Sequence, residues 1–123
     1  MKIEVSNGEL LDKLSILEIK LSRIPDPLKK KNISKEFRIL QEAAGSVLPS
    51  VQSLYVDLLN INTRLWNIED RIRELESGQQ FDAEFVETAR SVYHLNDERA
   101  RIKTEIDVIT GSELREEKSY HGY

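Results

Sequence analysis

Eight apolar residues between Val51 and Leu75 (Val51, Leu54, Leu58, Ile61, Leu65, Ile68, Ile72 and Leu75) follow one another in steps of 3, 4, 3, 4, 3, 4 and 3. An unbroken alternation of this kind is the stripe of a helix that buries one face against other helices. Asn67, Glu69, Asp70, Arg71, Arg73 and Glu74 keep the rest of the surface wet. This stretch, read as helix 3 over residues 49–77, is the element the chain is organised around.

Three further stripes share the period. Ser6 followed by Glu9 is a capping box: the hydroxyl accepts from a free backbone N–H and the carboxylate reaches back to the N–H of the cap. Helix 1 then spans 7–24, with a seam of Leu10, Leu14, Leu17, Leu21 and Ile24. Leu11, Ile16 and Ile19 lie off that seam, so this helix is apolar on more than one face and belongs in the centre or at an interface. Asp12–Lys13 and Glu18–Lys20 read as its polar relief. Pro25-Asp26-Pro27 separates it from helix 2, residues 27–45, because Asp26 suits an N-cap and Pro27 a first helical position. Helix 2 carries Ile33, Phe37, Leu40, Ala44 and Val47. Ser77-Gly78-Gln79-Gln80 is a turn, Asp82 a cap, and helix 4 runs over 82–110 to Gly111. Its seam is Phe85, Val92, Leu95, Ile102, Ile106 and Ile109, with Thr88 and Arg99 on the same stripe. Residues 2–5 alternate as a short strand would; an extended arm over 1–6 is the favoured alternative, since a lone strand has no partner. In the tail, 112–123, Tyr120 and Tyr123 are expected to dock.

Four stripes of one period with short connections define an all-α antiparallel helical bundle, built on a long helix-3/helix-4 hairpin with coiled-coil-like packing. The 123 residues suit one domain. Helices 1 and 2 are too short to cover the whole hairpin. The tip near 69–90 therefore protrudes or meets a second subunit, and a homo-oligomer, a dimer first, is expected.

Composition removes several function classes. With no cysteine there are no disulfides, thiolate metal sites or cysteine nucleophiles. A net charge of −4 argues against nucleic acid, and Lys29–Lys31 with Lys35 and Arg38 read as a solvated face, an anion-binding surface being the alternative. There is no membrane span and the charged N-terminus is no signal peptide, so a cytoplasmic protein is expected. No Gly-rich phosphate loop, nucleophile motif or Glu-x-x-His pair is present, and no cofactor or metal is expected. Asp70 and Glu74 sit off the seam, where a helical nucleotide pyrophosphohydrolase would aim paired acids inward.

What remains is a polar layer. A hairpin turning near 77–81 sets residues summing to about 158 opposite each other. Asn62 then faces Asn96, Trp66 lies near Tyr93, Glu69 near Arg90, and Arg99 within reach of Asp57. A seam arginine needs a carboxylate, because a lone buried charge is costly. The layer either fixes helix register or is a ligand site involving Trp66, Glu69, Arg90, Tyr93, Asn96, Asp97 and Arg99. These two readings give two functions: a non-enzymatic interaction or scaffold module, the leading one, and a protein that binds or processes a phosphorylated or sugar-nucleotide ligand.

The segments 6–20 (SNGELLDKLSILEIK), 65–73 (LWNIEDRIR), 85–93 (FVETARSVY), 96–100 (NDERA) and 116–120 (EEKSY) resemble the motifs of a small, functionally uncharacterised family of bacterial and phage proteins. The resemblance covers nearly the whole chain, helix 2 least. It implies a chain of similar length and a protein partner in surface-glycan synthesis, since members lie near such genes. It implies no activity, cofactor or catalytic residue.

Overall fold

The computed structural model describes residues 1–119. It is all-helical: α1 (Asn7–Arg23), α2 (Pro27–Ala44), a 3₁₀ turn (Leu48–Ser50), α3 (Gln52–Ser77) and α4 (Ala83–Thr110). No strand occurs among the described residues; residues 1–5 form an exposed arm. Tyr120 and Tyr123, expected to dock, lie outside the described residues. The caps follow the sequence. Ser6 accepts from Glu9 N at 3.1 Å, Asp26 from Leu28 N at 2.9 Å, and Asp82 from Phe85 N at 3.2 Å. Gly111 closes α4 in the left-handed conformation.

α3 and α4 form the long antiparallel hairpin. α1 lies across both of them and also carries α2 on its far side. The centre is therefore α1, as its many apolar faces imply: Leu11 and Leu14 pack with Leu58, Ile61, Leu95, Ile102 and Ile106 into one core. α2 is a cover rather than an equal fourth helix. Its one buried residue is Ala44, while Phe37 and Leu40 are half-buried against the core.

One seam expectation is corrected. Ile109 was placed on the α4 stripe, yet it is 54% exposed. A straight helix drifts about 20° per heptad against a strict 3.5 repeat. By the last two turns of α4 the inward face has moved to Lys103 and Asp107, where α1 begins. The hairpin turn falls where the sequence places it. Gly78 has an ordinary φ of −82°, and the left-handed residue is Gln79, with φ 53°. The bond from Gln80 N to Leu75 O, 2.8 Å, marks the tight C-terminal wrap that requires it. A side chain there carries a steric cost of about 1–2 kcal/mol that glycine avoids. Gln79→Gly is thus expected to raise the unfolding free energy by about 0.5–1 kcal/mol after the chain-entropy penalty of glycine, measured by urea denaturation.

Candidate functional site

The polar side chains buried in the bundle come from both ends of the sequence. On α1, Gly8, Asp12, Ser15 and Ile19 share one stripe; on α4, Asn96, Arg99, Lys103 and Asp107 share another. These stripes face each other. Asp12, only 1% exposed, is the centre. Its carboxylate accepts from Arg99 through Nε (2.9 Å) and also through Nη2, a two-pronged pair. Asn62 Nδ2 of α3 donates to Asp12 Oδ1 and to Ser15 Oγ, each at 2.8 Å. Arg99 Nη1 points to Asn96 Oδ1 at 3.4 Å.

One turn along, Lys103 is equally enclosed. Its Nζ donates to Glu9 Oε2 at 2.7 Å and to Glu116 Oε2 at 2.8 Å, with Asp12 Oδ2 at 3.9 Å. Burial pulls the Lys103 pKa down, and the bonds to Glu116 and Glu9 outweigh it, so the ammonium is held above its ordinary range. The Lys103 bond in turn holds the Glu116 carboxyl below its ordinary range, so the contribution of this contact is present above that range and fades as acid protonates Glu116. At the end of the layer Asp107 Oδ1 accepts the N–H of Gly8 at 2.7 Å. A methyl group on Gly8 would run into the Lys103 carbonyl oxygen and come within 3.0 Å of Asp107 Oδ1, so only glycine lets α1 start this close to α4.

The residues singled out from the sequence divide. Trp66, Glu69, Asn96 and Arg99 line one cleft of about 280 Å³, together with Asn62 and the apolar Ile16, Ile19, Leu65 and Val92. Arg90 and Tyr93 stand apart on the surface: Arg90 Nε donates to Tyr93 Oη at 3.2 Å, and the Tyr93 ring lies 4.7 Å from that of His94. Glu69 pairs with Arg73 at 3.0 Å rather than with Arg90. Asp97 turns toward Lys118 of the tail at 3.8 Å. Arg99 does have its carboxylate, but it is Asp12 of α1; Asp57 is exposed. Asp12 was read as solvent relief and is instead the deepest charge in the bundle. Glu9, assigned to the capping box, instead serves Lys103, and so does Glu116 of the tail. A signal was present for Asp12 alone: on a helix apolar around most of its girth, Asp12 and Ser15 share one stripe and have no solvent to face.

A second polar contact between α1 and α3 makes a separate prediction. Tyr55 Oη donates to Glu18 Oε2 at 2.6 Å. Burial first, then this bond and the charge of Glu18, push the phenol above its ordinary value of 10.0. Its stabilising contribution is complete below that value and is lost as pH rises through the raised one. In an absorbance titration of the native protein, a tyrosine phase displaced to high pH is expected, and Tyr55→Phe should remove it.

No group of three or more metal-ligating side chains is assembled among the described residues. No described helix is long and apolar enough to cross a membrane. Every buried side-chain nitrogen and oxygen described has a hydrogen-bond partner. Fold and site together define a small helical bundle with a network of paired charges between α1, α3 and α4. The chain belongs to a family of unknown function, DUF6165, which matches residues 1–123. No curated protein and no solved structure is similar enough to match it.

Proposed function

We propose that this chain is a non-enzymatic interaction module that acts as a homo-oligomer, a dimer first, through the projecting end of its α3/α4 hairpin. The supporting observation is that the α3 seam outruns its cover. Under α1, Leu58 and Ile61 are closed off. Further along the same stripe Ile68 and Ile72 are only half-buried, although Leu75 at its end is closed off again at 2% exposed, and around the tip Phe81 is 57% and Val86 52% exposed. Seam residues of one period, half covered by two helices, are completed by two more, which a second hairpin supplies. The charge network fits the same reading: Asp12 pairs with Arg99, and Lys103 with Glu9 and Glu116. This reading keeps the cytoplasmic setting expected from composition, and a protein partner in surface-glycan synthesis remains what the family resemblance implies.

The test is native mass spectrometry with sedimentation at tens of micromolar. A dimer is expected, reduced to one chain by Phe81→Glu with Val86→Glu while the helical circular dichroism is retained. A mass of one chain for the unaltered protein would end the proposal.

A further inference from the structure

Residues 113–119 form neither helix nor strand, yet two of their side chains are fixed on α4: Glu116 on Lys103 at 2.8 Å and Lys118 near Asp97 at 3.8 Å. Between them and α4 is a cleft of about 250 Å³ lined by Asn96, Arg99, Ala100, Lys103, Glu116 and Lys118. Its charges are unequal. With Glu116 in place, Arg99 and Lys103 face three carboxylates, those of Glu9, Asp12 and Glu116. The first two are built into α1. Glu116 comes from outside the helices and is itself half exposed.

Without Glu116, Arg99 and Lys103 balance Glu9 and Asp12 one for one, and the donor the carboxylate had engaged turns to the cleft. The donor Glu116 had engaged is an ammonium hydrogen of Lys103; beside it in the cleft lie the Arg99 guanidinium, which Asp12 locks in place, and the Asn96 amide. Fixed, partly desolvated N–H donors of this kind take an oxyanion. The volume admits a phosphate group and a few carbons, not a length of extended peptide. We propose that this cleft is a binding site for a small oxyanion, of the size and charge of a phosphate monoester, and that Glu116 occupies it as an internal stand-in which the ligand displaces. The inference is independent of the oligomeric reading above.

A competitor within the chain lowers apparent affinity by the fraction of sites it leaves open. The test uses the full chain and inorganic phosphate, titrated at constant ionic strength against chloride. The Arg99 Nε–H and the backbone amides of 113–119 are followed by NMR. A saturable shift is expected, reached in Glu116→Gln at five- to tenfold lower phosphate. Glu113→Gln, in the same segment but outside the cleft, should behave as the unaltered chain, and Lys103→Met should show no saturable shift. Equal phosphate affinity with and without Glu116 would overturn the proposal, as would a shift that chloride reproduces. So would a response only to a peptide carrying residues 113–119. Should Lys103→Met fail to fold, the Glu116→Gln arm decides alone, because a half-exposed ion pair contributes little to stability.

Discussion

Arg99→Met is expected to lower the unfolding free energy by about 3–5 kcal/mol, the usual cost of removing one partner from a buried ion pair. Methionine fills much of the volume of the arginine stem, so the loss is not chiefly a cavity. It arises because the Asp12 carboxylate, 1% exposed, keeps only Asn62 and the more distant Lys103. For a domain whose whole stability is about 5–15 kcal/mol, that is a large share. The control that isolates the cause is the double variant Asp12→Leu with Arg99→Met. Replacing both partners of a buried pair by apolar side chains is often close to neutral, so the double variant should recover most of the loss in urea denaturation. A double variant as unstable as the sum of the singles would mean that Asp12 and Arg99 do not act as a pair.

Gly8→Ala is the second large effect, expected at about 3 kcal/mol. Overpacking a close contact costs about 1–3 kcal/mol, and pushing α1 away from α4 also strains the bond from Gly8 N to Asp107, a buried charged acceptor worth about 1.5–3 kcal/mol. The added methyl meets backbone, the Lys103 carbonyl, which has no flexible end to swing aside. Gly78→Ala is the matched control. There the nearest atom to a new Cβ is 3.5 Å away and φ is ordinary, so the change should be neutral or stabilising by about 0.5 kcal/mol. Both are read by urea denaturation, with hydrogen exchange at Gly8 expected to accelerate in Gly8→Ala.

The helices were legible because their seams keep one period and their breaks carry glycine, proline and capping residues in the right places. The arrangement was legible only in part. Helix 2 has a seam as regular as the others, but a seam states that a face is covered and not by how much; Phe37 and Leu40 end half-buried against the core. The site shows the same limit more sharply. That Arg99 required a carboxylate followed from its place on the α4 stripe. Which carboxylate did not, because pairing was reasoned within the hairpin, where Asp57 was the nearest choice, while the partner comes from α1. Asp12, Ser15 and Asn62 are bonded across 47 and 50 residues of sequence, and only the packing of α1 across α3 brings them together.

The bonds joining Asn7 to Ser112, Gly8 to Asp107 and Asp12 to Arg99 span 105, 99 and 87 residues. Of the four helices, the one at the centre of the bundle is thus made before the other three, and the α4 surface it bonds to is made last of the four. At about 5–20 residues per second, α1 waits roughly 5–20 s before its partners on α4 exist. Until α3 follows, only α2 can shelter it. A second duty for the cover helix follows: before it is a lid on the finished fold, it is an escort for an apolar segment that has nowhere else to go.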